Sequence, residues 1–192
     1  MIFNNHERFR GKHAFLSPSQ CSWLNYSDEK LMQRIEAQEA IERGTALHEY
    51  AEQAIKLGIH QLEKNPEFPS VSQFINDAID MHMTPEVPLV WSDNFYGTAD
   101  AISFGREKRK DILRIHDLKT GETPAKFEQL RTYAALFCLE YGYTPGEIKT
   151  ELCIYQFGKI KKECPTAEDI LPIMDKIQRF DDILDQRKHT GG

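Results

Sequence analysis

Two short segments of the sequence place carboxylates and a lysine in an order suited to metal-dependent hydrolysis. Residues 97–100 read Gly-Thr-Ala-Asp, and residues 117–121 read Asp-Leu-Lys-Thr-Gly. Carboxylate oxygens are the ligands that hard divalent cations prefer. A cation held by Asp100 and Asp117 would activate water and stabilise charge on a phosphodiester. The ammonium of Lys119 would stabilise the negative charge that develops there.

A β-strand would place Asp117 and Lys119 on one face. Residues 112–119 read as a strand, in which successive side chains alternate between faces. Asp100 lies towards the end of a similar run, 95–102, and the turn-rich stretch 105–111 would join the two runs as a hairpin. Taken alone, Asp-x-Lys is also typical of a solvated strand face, so the neighbouring patterns decide between the two interpretations.

Four short patterns follow one another between about residues 16 and 157. They are a helical histidine pattern at 44–52, Glu86 followed by 97–100, the segment 117–121, and Gln-x-x-x-Tyr at 129–133. In this order and spacing they resemble the RecB-like branch of the PD-(D/E)xK nuclease superfamily. Leu118 stands where that family usually has tyrosine, and the aspartate before it is common within the branch.

The resemblance implies which residues form the site. Metal ligands are expected from one imidazole, three carboxylates and one backbone carbonyl: His48, Glu86, Asp100, Asp117 and the carbonyl of Leu118. Catalytic roles are expected for the carboxylates, the lysine and two helical residues: Asp100, Asp117, Lys119, Gln129 and Tyr133. These donors suit Mg²⁺ or Mn²⁺, and the imidazole makes Mn²⁺ a better fit than Mg²⁺ alone.

Each of these residues also has a structural interpretation. A histidine on an amphipathic helix, such as His48, is often packed or exposed without a ligand. Tyr133 could be ordinary helix packing, and Asp117 with Lys119 could be a surface ion pair worth ~0–1 kcal/mol. These alternatives stay open at the level of sequence.

The activity implied by the resemblance is a metal-dependent DNA exonuclease that processes ends in recombination, repair or phage DNA metabolism. An endonuclease or flap nuclease on the same fold is the nearest alternative, and a non-catalytic DNA-binding protein is the second. DNA is the expected partner, as free ends or as junctions between single-stranded and duplex DNA. A processive enzyme of this size would also need a homo-oligomeric ring or a recombination or replication partner protein.

Composition is that of an ordinary globular chain. A length of 192 residues predicts a single domain, 1–192. The resemblance implies that it is a nuclease domain, with a helical part at about 17–83 and the catalytic sheet and helices at about 84–187. The net charge of −6 does not favour nucleic-acid binding by itself, so local basic clusters matter more. One cluster lies in the proposed hairpin loop and could contact DNA or be a solvated turn: Arg106, Lys108, Arg109 and Lys110. A second lies near another turn: Lys159, Lys161 and Lys162.

Cysteine spacing and hydropathy exclude other classes. The four cysteines, 21, 138, 153 and 164, form no C-x-x-C pair, which argues against a zinc module. Some RecB-like nucleases carry an iron–sulfur cluster, but the late cysteines here are scattered and none is expected. No apolar run approaches ~18 residues, so no membrane partner is expected. Residues 1–8 lack an apolar signal core, which predicts a cytoplasmic protein.

The element order predicts an α/β fold. Helices are expected at about 36–57, 71–83, 123–141 and 167–187, the last of them strained at Pro172 unless that residue falls in its first turn. Strands are expected at 86–91, 94–104, 112–119 and 147–157, with a return at 159–163. This order gives a mixed central β-sheet flanked by helices, which matches the restriction-endonuclease-like core that the resemblance implies.

Overall fold

A computed structural model of the chain describes residues 6–62 and 65–190. Residues 1–5, part of the segment on which the predicted location rests, lie outside the described residues. The chain divides into two compact units, Met1–Arg43 and Gly44–Gly192. Every predicted site residue lies in the second unit. The prediction of one nuclease domain over the whole chain stays a prediction.

The first unit is helical. It contains 3-10 helices at Glu7–Phe9 and Pro18–Asn25 and the beginning of helix α1, Asp28–Leu57. Helix α1 therefore begins well before residue 36, where the sequence predicted its start. The hydroxyl of Ser27 accepts the backbone N–H of Lys30 at 3.3 Å, and acidic residues fill the first turn, where they complement the helix dipole.

A five-stranded mixed sheet forms the centre of the second unit. In chain order its strands are β1 (Thr84–Ser92), β2 (Phe95–Glu107), β3 (Lys110–Leu118), β4 (Lys149–Gln156) and β5 (Lys159–Glu163). The spatial order is the same as the chain order, and only β3 and β4 run parallel. The helices are the carboxyl-terminal part of α1, α2 (Pro69–Asp80), α3 (Glu128–Tyr141) and α4 (Ala167–Thr190). The predicted α/β class, with helices flanking a mixed sheet, is confirmed.

Both faces of the sheet are covered by apolar side chains. On one face Leu113 and Ile115 of β3 lie in a core with Leu130 of α3. On the other face Leu118 and Tyr155 lie in a core with residues of α1 and α2. Burial on both faces explains why Ile112, Leu113, Ile115 and Leu118 of β3 are apolar. Asp117, near the end of this strand, is buried as well.

The start of α3 is among the predicted helix boundaries that differ from the structure. Helix α3 begins at Glu128 rather than at residues 123–125, because the residues before it form a loop held by hydrogen bonds. It ends as predicted at Gly142, which has φ +71° and closes the helix in the left-handed conformation. Pro172 lies inside α4, beyond its first turn, so one carbonyl in that helix lacks its usual N–H partner.

Within residues 6–62 and 65–190, none of the helices is both long enough and apolar enough to cross a bilayer.

Candidate metal centre

The candidate site lies where β2 and β3 part. The antiparallel pairing of these strands runs up to the pair Ala101 and His116. One residue further, the same register would place Asp100 opposite Asp117. At this point the backbone N–H of Leu118 donates to Oδ2 of Asp100 at 2.8 Å, so a side-chain carboxylate replaces a backbone acceptor. The end of the hairpin therefore presents two carboxylates side by side.

Strand β1 adds a third carboxylate. Its pairing with β2 joins Pro85 to Ala101 and Val87 to Ala99, which places Glu86 across from Asp100. Glu86 has φ +51°, a region that residues other than glycine seldom adopt. Such backbone strain is found most often at functional sites, where the surrounding structure holds it.

Helix α1 brings an imidazole to the same place. Nδ1 of His48 lies 3.5 Å from Oδ2 of Asp100. One ligand atom from each of His48, Glu86 and Asp100 lies within 4.8 Å of the others, and all three residues are half-buried. An imidazole and two carboxylates at this spacing could hold one divalent cation.

The electrostatics of these three residues favour a bound cation. Burial, followed by repulsion from Asp100, raises the pKa of Glu86. Burial also raises the pKa of Asp100, against the opposing hydrogen bond from Leu118. Burial lowers the pKa of His48, opposed by the charges of Glu86 and Asp117. A divalent cation would stabilise the ionised carboxylates and the neutral imidazole together.

Asp117 lies beside this cluster and is almost completely buried. Asp117 is 2% exposed, and its Oδ1 accepts a hydrogen bond from Nζ of Lys119 at 2.9 Å. Within the described part of the chain, Oδ2 has no hydrogen-bond partner. Burial and then repulsion from Asp100 raise the pKa of Asp117 to about 6, although Lys119 opposes the shift. A buried carboxylate oxygen with an open coordination position fits a metal ligand.

Lys119 is held by two neighbours. Besides Asp117, its ammonium donates to Oε1 of Gln129 at 2.9 Å, and Nε2 of Gln129 donates to Oη of Tyr133 at 3.4 Å. Of the predicted pair on α3, Gln129 therefore contacts the predicted lysine, and Tyr133 contacts Gln129. The interpretation of Tyr133 as helix packing also has support, because its ring lies against the backbone of Gly97. A Cβ atom at Gly97 would lie 2.9 Å from Cε1 of Tyr133.

A second glycine permits another close approach. A Cβ atom at Gly44 of α1 would lie 2.9 Å from Oγ1 of Thr120, the residue after Lys119. Contacts this short are essentially absent from real structures, so any larger residue at Gly44 must displace the helix or the threonine. Because His48 lies one turn further along α1, this contact sets the distance between the imidazole and the end of β3.

One polar residue of the site region was missed by sequence reasoning. Gln156, at the end of β4, is 3% exposed, and Oε1 accepts the N–H of Ala125 at 2.9 Å. Its Nε2 donates to the carbonyls of Gly121 and Thr123. Gln156 therefore holds the loop that follows Lys119. A single glutamine at a strand end carries no recognisable signal, so only the structure identifies it.

Leu118 has a different observed role from the one expected. Its N–H donates to Asp100, and its backbone also forms a hydrogen bond with His48 that raises the pKa of the imidazole. These contacts connect both residues to β3. The expected role of its carbonyl as a metal ligand stays a prediction.

The basic hairpin loop lies far from the site. Arg106, Lys108, Arg109 and Lys110 lie at the β2–β3 turn, the opposite end of these strands from Asp100. At about 3.3 Å per residue along a strand, the turn is roughly 20–25 Å from that aspartate. This distance corresponds to roughly six to seven base pairs along B-DNA. DNA contact by this loop stays a prediction. The second basic cluster is closer, since Lys161 pairs with Ile154, which pairs with Asp117.

No family model, curated protein or solved structure matches the chain. The side chains of the site and the order of the sequence patterns are therefore what supports a function for this chain.

Proposed function

We propose that the chain is a divalent-metal-dependent nuclease that hydrolyses phosphodiester bonds in DNA, with the arrangement of a PD-(D/E)xK enzyme. The observation that carries the proposal is the grouping of His48, Glu86 and Asp100 within 4.8 Å of one another, beside the Asp117–Lys119 pair. Ligands and a lysine with this spacing are what metal-assisted phosphodiester hydrolysis requires.

The residues present fit Mg²⁺ or Mn²⁺. Carboxylates and one imidazole form the donor set, and the open Oδ2 of Asp117 offers a further oxygen. A bound cation would supply Lewis-acid stabilisation of the phosphate and would raise the hydroxide fraction of coordinated water. His48, Glu86 and Asp100 would hold it, and Asp117 would complete the set.

Lys119 would act on the substrate through its ammonium. Asp117 and Gln129 each accept one of its N–H groups, which leaves one N–H for a phosphate oxygen. The two acceptors fix the direction of the side chain before substrate arrives, and such preorganisation strengthens charge stabilisation in the transition state. Tyr133 would orient Gln129 and so support the lysine indirectly.

The preference for DNA ends rests on the resemblance to the RecB-like branch. Neither the ligand set nor the position of Lys119 distinguishes cleavage at an end from cleavage within a strand. The substrate experiment therefore has to separate them.

The test compares an end-labelled linear duplex with covalently closed circular DNA in Mg²⁺, Mn²⁺ or EDTA. We expect metal-dependent loss of the linear DNA alone, and no cleavage by Lys119→Ala. Lys126→Ala is the matched control, because Lys126 is an exposed lysine on the loop after the site and should keep full activity. Cleavage of the circle would instead identify an endonuclease. Absence of cleavage in every metal would contradict the proposal and favour a non-catalytic DNA-binding protein.

A further inference from the structure

The turn between β4 and β5 has phenylalanine at a position where asparagine, aspartate or glycine is usual. Phe157 and Gly158 form this two-residue turn with φ +55° and φ +67°. Turns with two positive φ values favour asparagine or aspartate followed by glycine, because a bulky side chain is strained in this conformation. Phe157 occupies the strained position, and yet the residue is 58% exposed. Core packing therefore does not explain why phenylalanine is used here.

Neighbouring contacts hold the turn in place. The N–H of Gly158 donates to Oγ of Ser70 at 2.8 Å. A Cβ atom at Gly158 would lie 3.1 Å from Cγ of Pro69, at the start of α2. The turn is thus docked on helix α2, and the ring of Phe157 is presented from a fixed backbone.

Phe157 lines a hollow that is also lined by two residues next to the candidate metal centre, Leu118 and Lys119. The hollow has a volume of about 120 Å³ and is also lined by Phe68 and by residues 118–121. Two of these residues belong to the site, since the N–H of Leu118 donates to Asp100 and Nζ of Lys119 donates to Asp117. A group seated beside Phe157 would therefore adjoin a phosphate placed at Lys119.

An unpaired nucleotide has these two parts, a flat aromatic base and a neighbouring phosphate. Bases stack on exposed aromatic side chains with little dependence on sequence, because every base has a π-face. A base inside a duplex already stacks on its neighbours and cannot offer a free face to an isolated ring. The combination favours a single strand, or the frayed end of a duplex, over paired DNA.

We propose that Phe157 is a stacking platform for an unpaired nucleobase next to the scissile phosphate, which would make single-stranded DNA ends the preferred substrate. This inference rests on the proposed nuclease function.

Binding in EDTA tests the inference without cleavage. Fluorescence anisotropy would compare a labelled oligo-dT of about twelve residues with a blunt duplex of equal length. Phe157→Asn should weaken oligo-dT binding by about 5- to 150-fold, the range expected for loss of one base stack. Duplex binding should change less than about twofold. Phe157→Tyr should retain binding, because the ring remains.

Two controls separate this role from a structural one. Phe157→Asn should melt at the same temperature as wild type or higher, because asparagine suits the positive φ better. Phe180→Ala removes a similarly exposed aromatic ring from α4 and should leave oligo-dT binding unchanged. Unchanged oligo-dT binding by Phe157→Asn would overturn the inference, as would an equal loss of duplex binding or no binding of oligo-dT by wild type.

The outcome is distinguishable from failure of the proposed function. Phe157-dependent binding without cleavage in Mg²⁺ or Mn²⁺ would retain the stacking role and refute the nuclease. Metal-dependent cleavage with no effect of Phe157→Asn on oligo-dT binding would retain the nuclease and refute the stacking role.

Discussion

Asp117→Asn is expected to stabilise the metal-free protein while removing its response to metal. Asparagine has almost the shape of aspartate and keeps an oxygen that can accept Nζ of Lys119. The substitution removes a negative charge from a residue that is 2% exposed. Burial, and then repulsion by Asp100, raises the pKa of Asp117 to about 6. The ionised carboxylate therefore destabilises the folded state at neutral pH.

The size of the effect follows from the two pKa values. In the unfolded chain Asp117 has its ordinary pKa of 3.8, and in the folded protein about 6. The folded state thus binds the proton more tightly. The stability that this proton contributes is fully present below pH 3.8 and is lost as pH rises through about 6. At about 1.36 kcal/mol per pKa unit, the loss above this window is about 3 kcal/mol.

Asparagine does not titrate, so the variant avoids this loss. At about pH 8 we expect Asp117→Asn to unfold with a free energy about 3 kcal/mol larger than wild type, with the difference shrinking below ~1 kcal/mol near pH 4. For a chain of this size the corresponding rise in melting temperature at pH 8 is roughly 6–12 °C. If Asp117 has the proposed catalytic role, its carboxylate would destabilise its own fold, which is a common relation between function and stability.

The assay is urea unfolding in EDTA at these two pH values, followed by thermal unfolding with added Mn²⁺. Wild type should gain stability with Mn²⁺, since a ligand of the folded state stabilises it, and Asp117→Asn should gain much less. Asp182→Asn changes an exposed carboxylate on α4 and should differ from wild type by less than ~0.5 kcal/mol. The reasoning is refuted if Asp117→Asn is no more stable than wild type at pH 8, or if Mn²⁺ stabilises both equally.

Three further predictions follow from the geometry. His48→Ala should raise the Mn²⁺ concentration needed for stabilisation and for cleavage more than it weakens DNA binding; overlapping metal titrations would make His48 structural. Gly44→Ala should weaken Mn²⁺ binding because its methyl group meets Oγ1 of Thr120; adding Thr120→Ala should restore binding and Thr120→Ser should not, and a failure of this rescue would exclude the contact. Burial lowers the pKa of His116 from 6.5 to about 4, so stability is lost as pH falls between these values. Urea unfolding should show about 3 kcal/mol more acid-induced loss in wild type than in His116→Gln, and parallel pH profiles would contradict this.

Local patterns predicted the elements of the fold better than their ends. The alternation around Asp117 identified β3, and the turn-rich stretch before it identified the hairpin. The start of α1 was missed although the hydroxyl of Ser27 caps it by accepting the N–H of Lys30. The start of α3 could not be predicted from local sequence. The buried amide of Gln156, which is distant in sequence, holds the residues before α3 in a loop.

The order of residues is enough to predict which side chains are available and which of them share a face of a strand. A strand places Asp117 and Lys119 on the same side whatever surrounds it, and the structure joins them at 2.9 Å. Capping and turn residues act over a few positions, so the helix ends and turns that they form can also be predicted from sequence alone.

Which atoms of the site come into contact depends on strand register and on packing between distant segments. The approach of Glu86 to Asp100 depends on strand register, and a shift of one residue would turn the side chain to the other face. The position of His48 depends on a helix that approaches β3 closely because Gly44 lacks a side chain. Distances between segments far apart in the chain are set by packing and register, and no local pattern of residues encodes them.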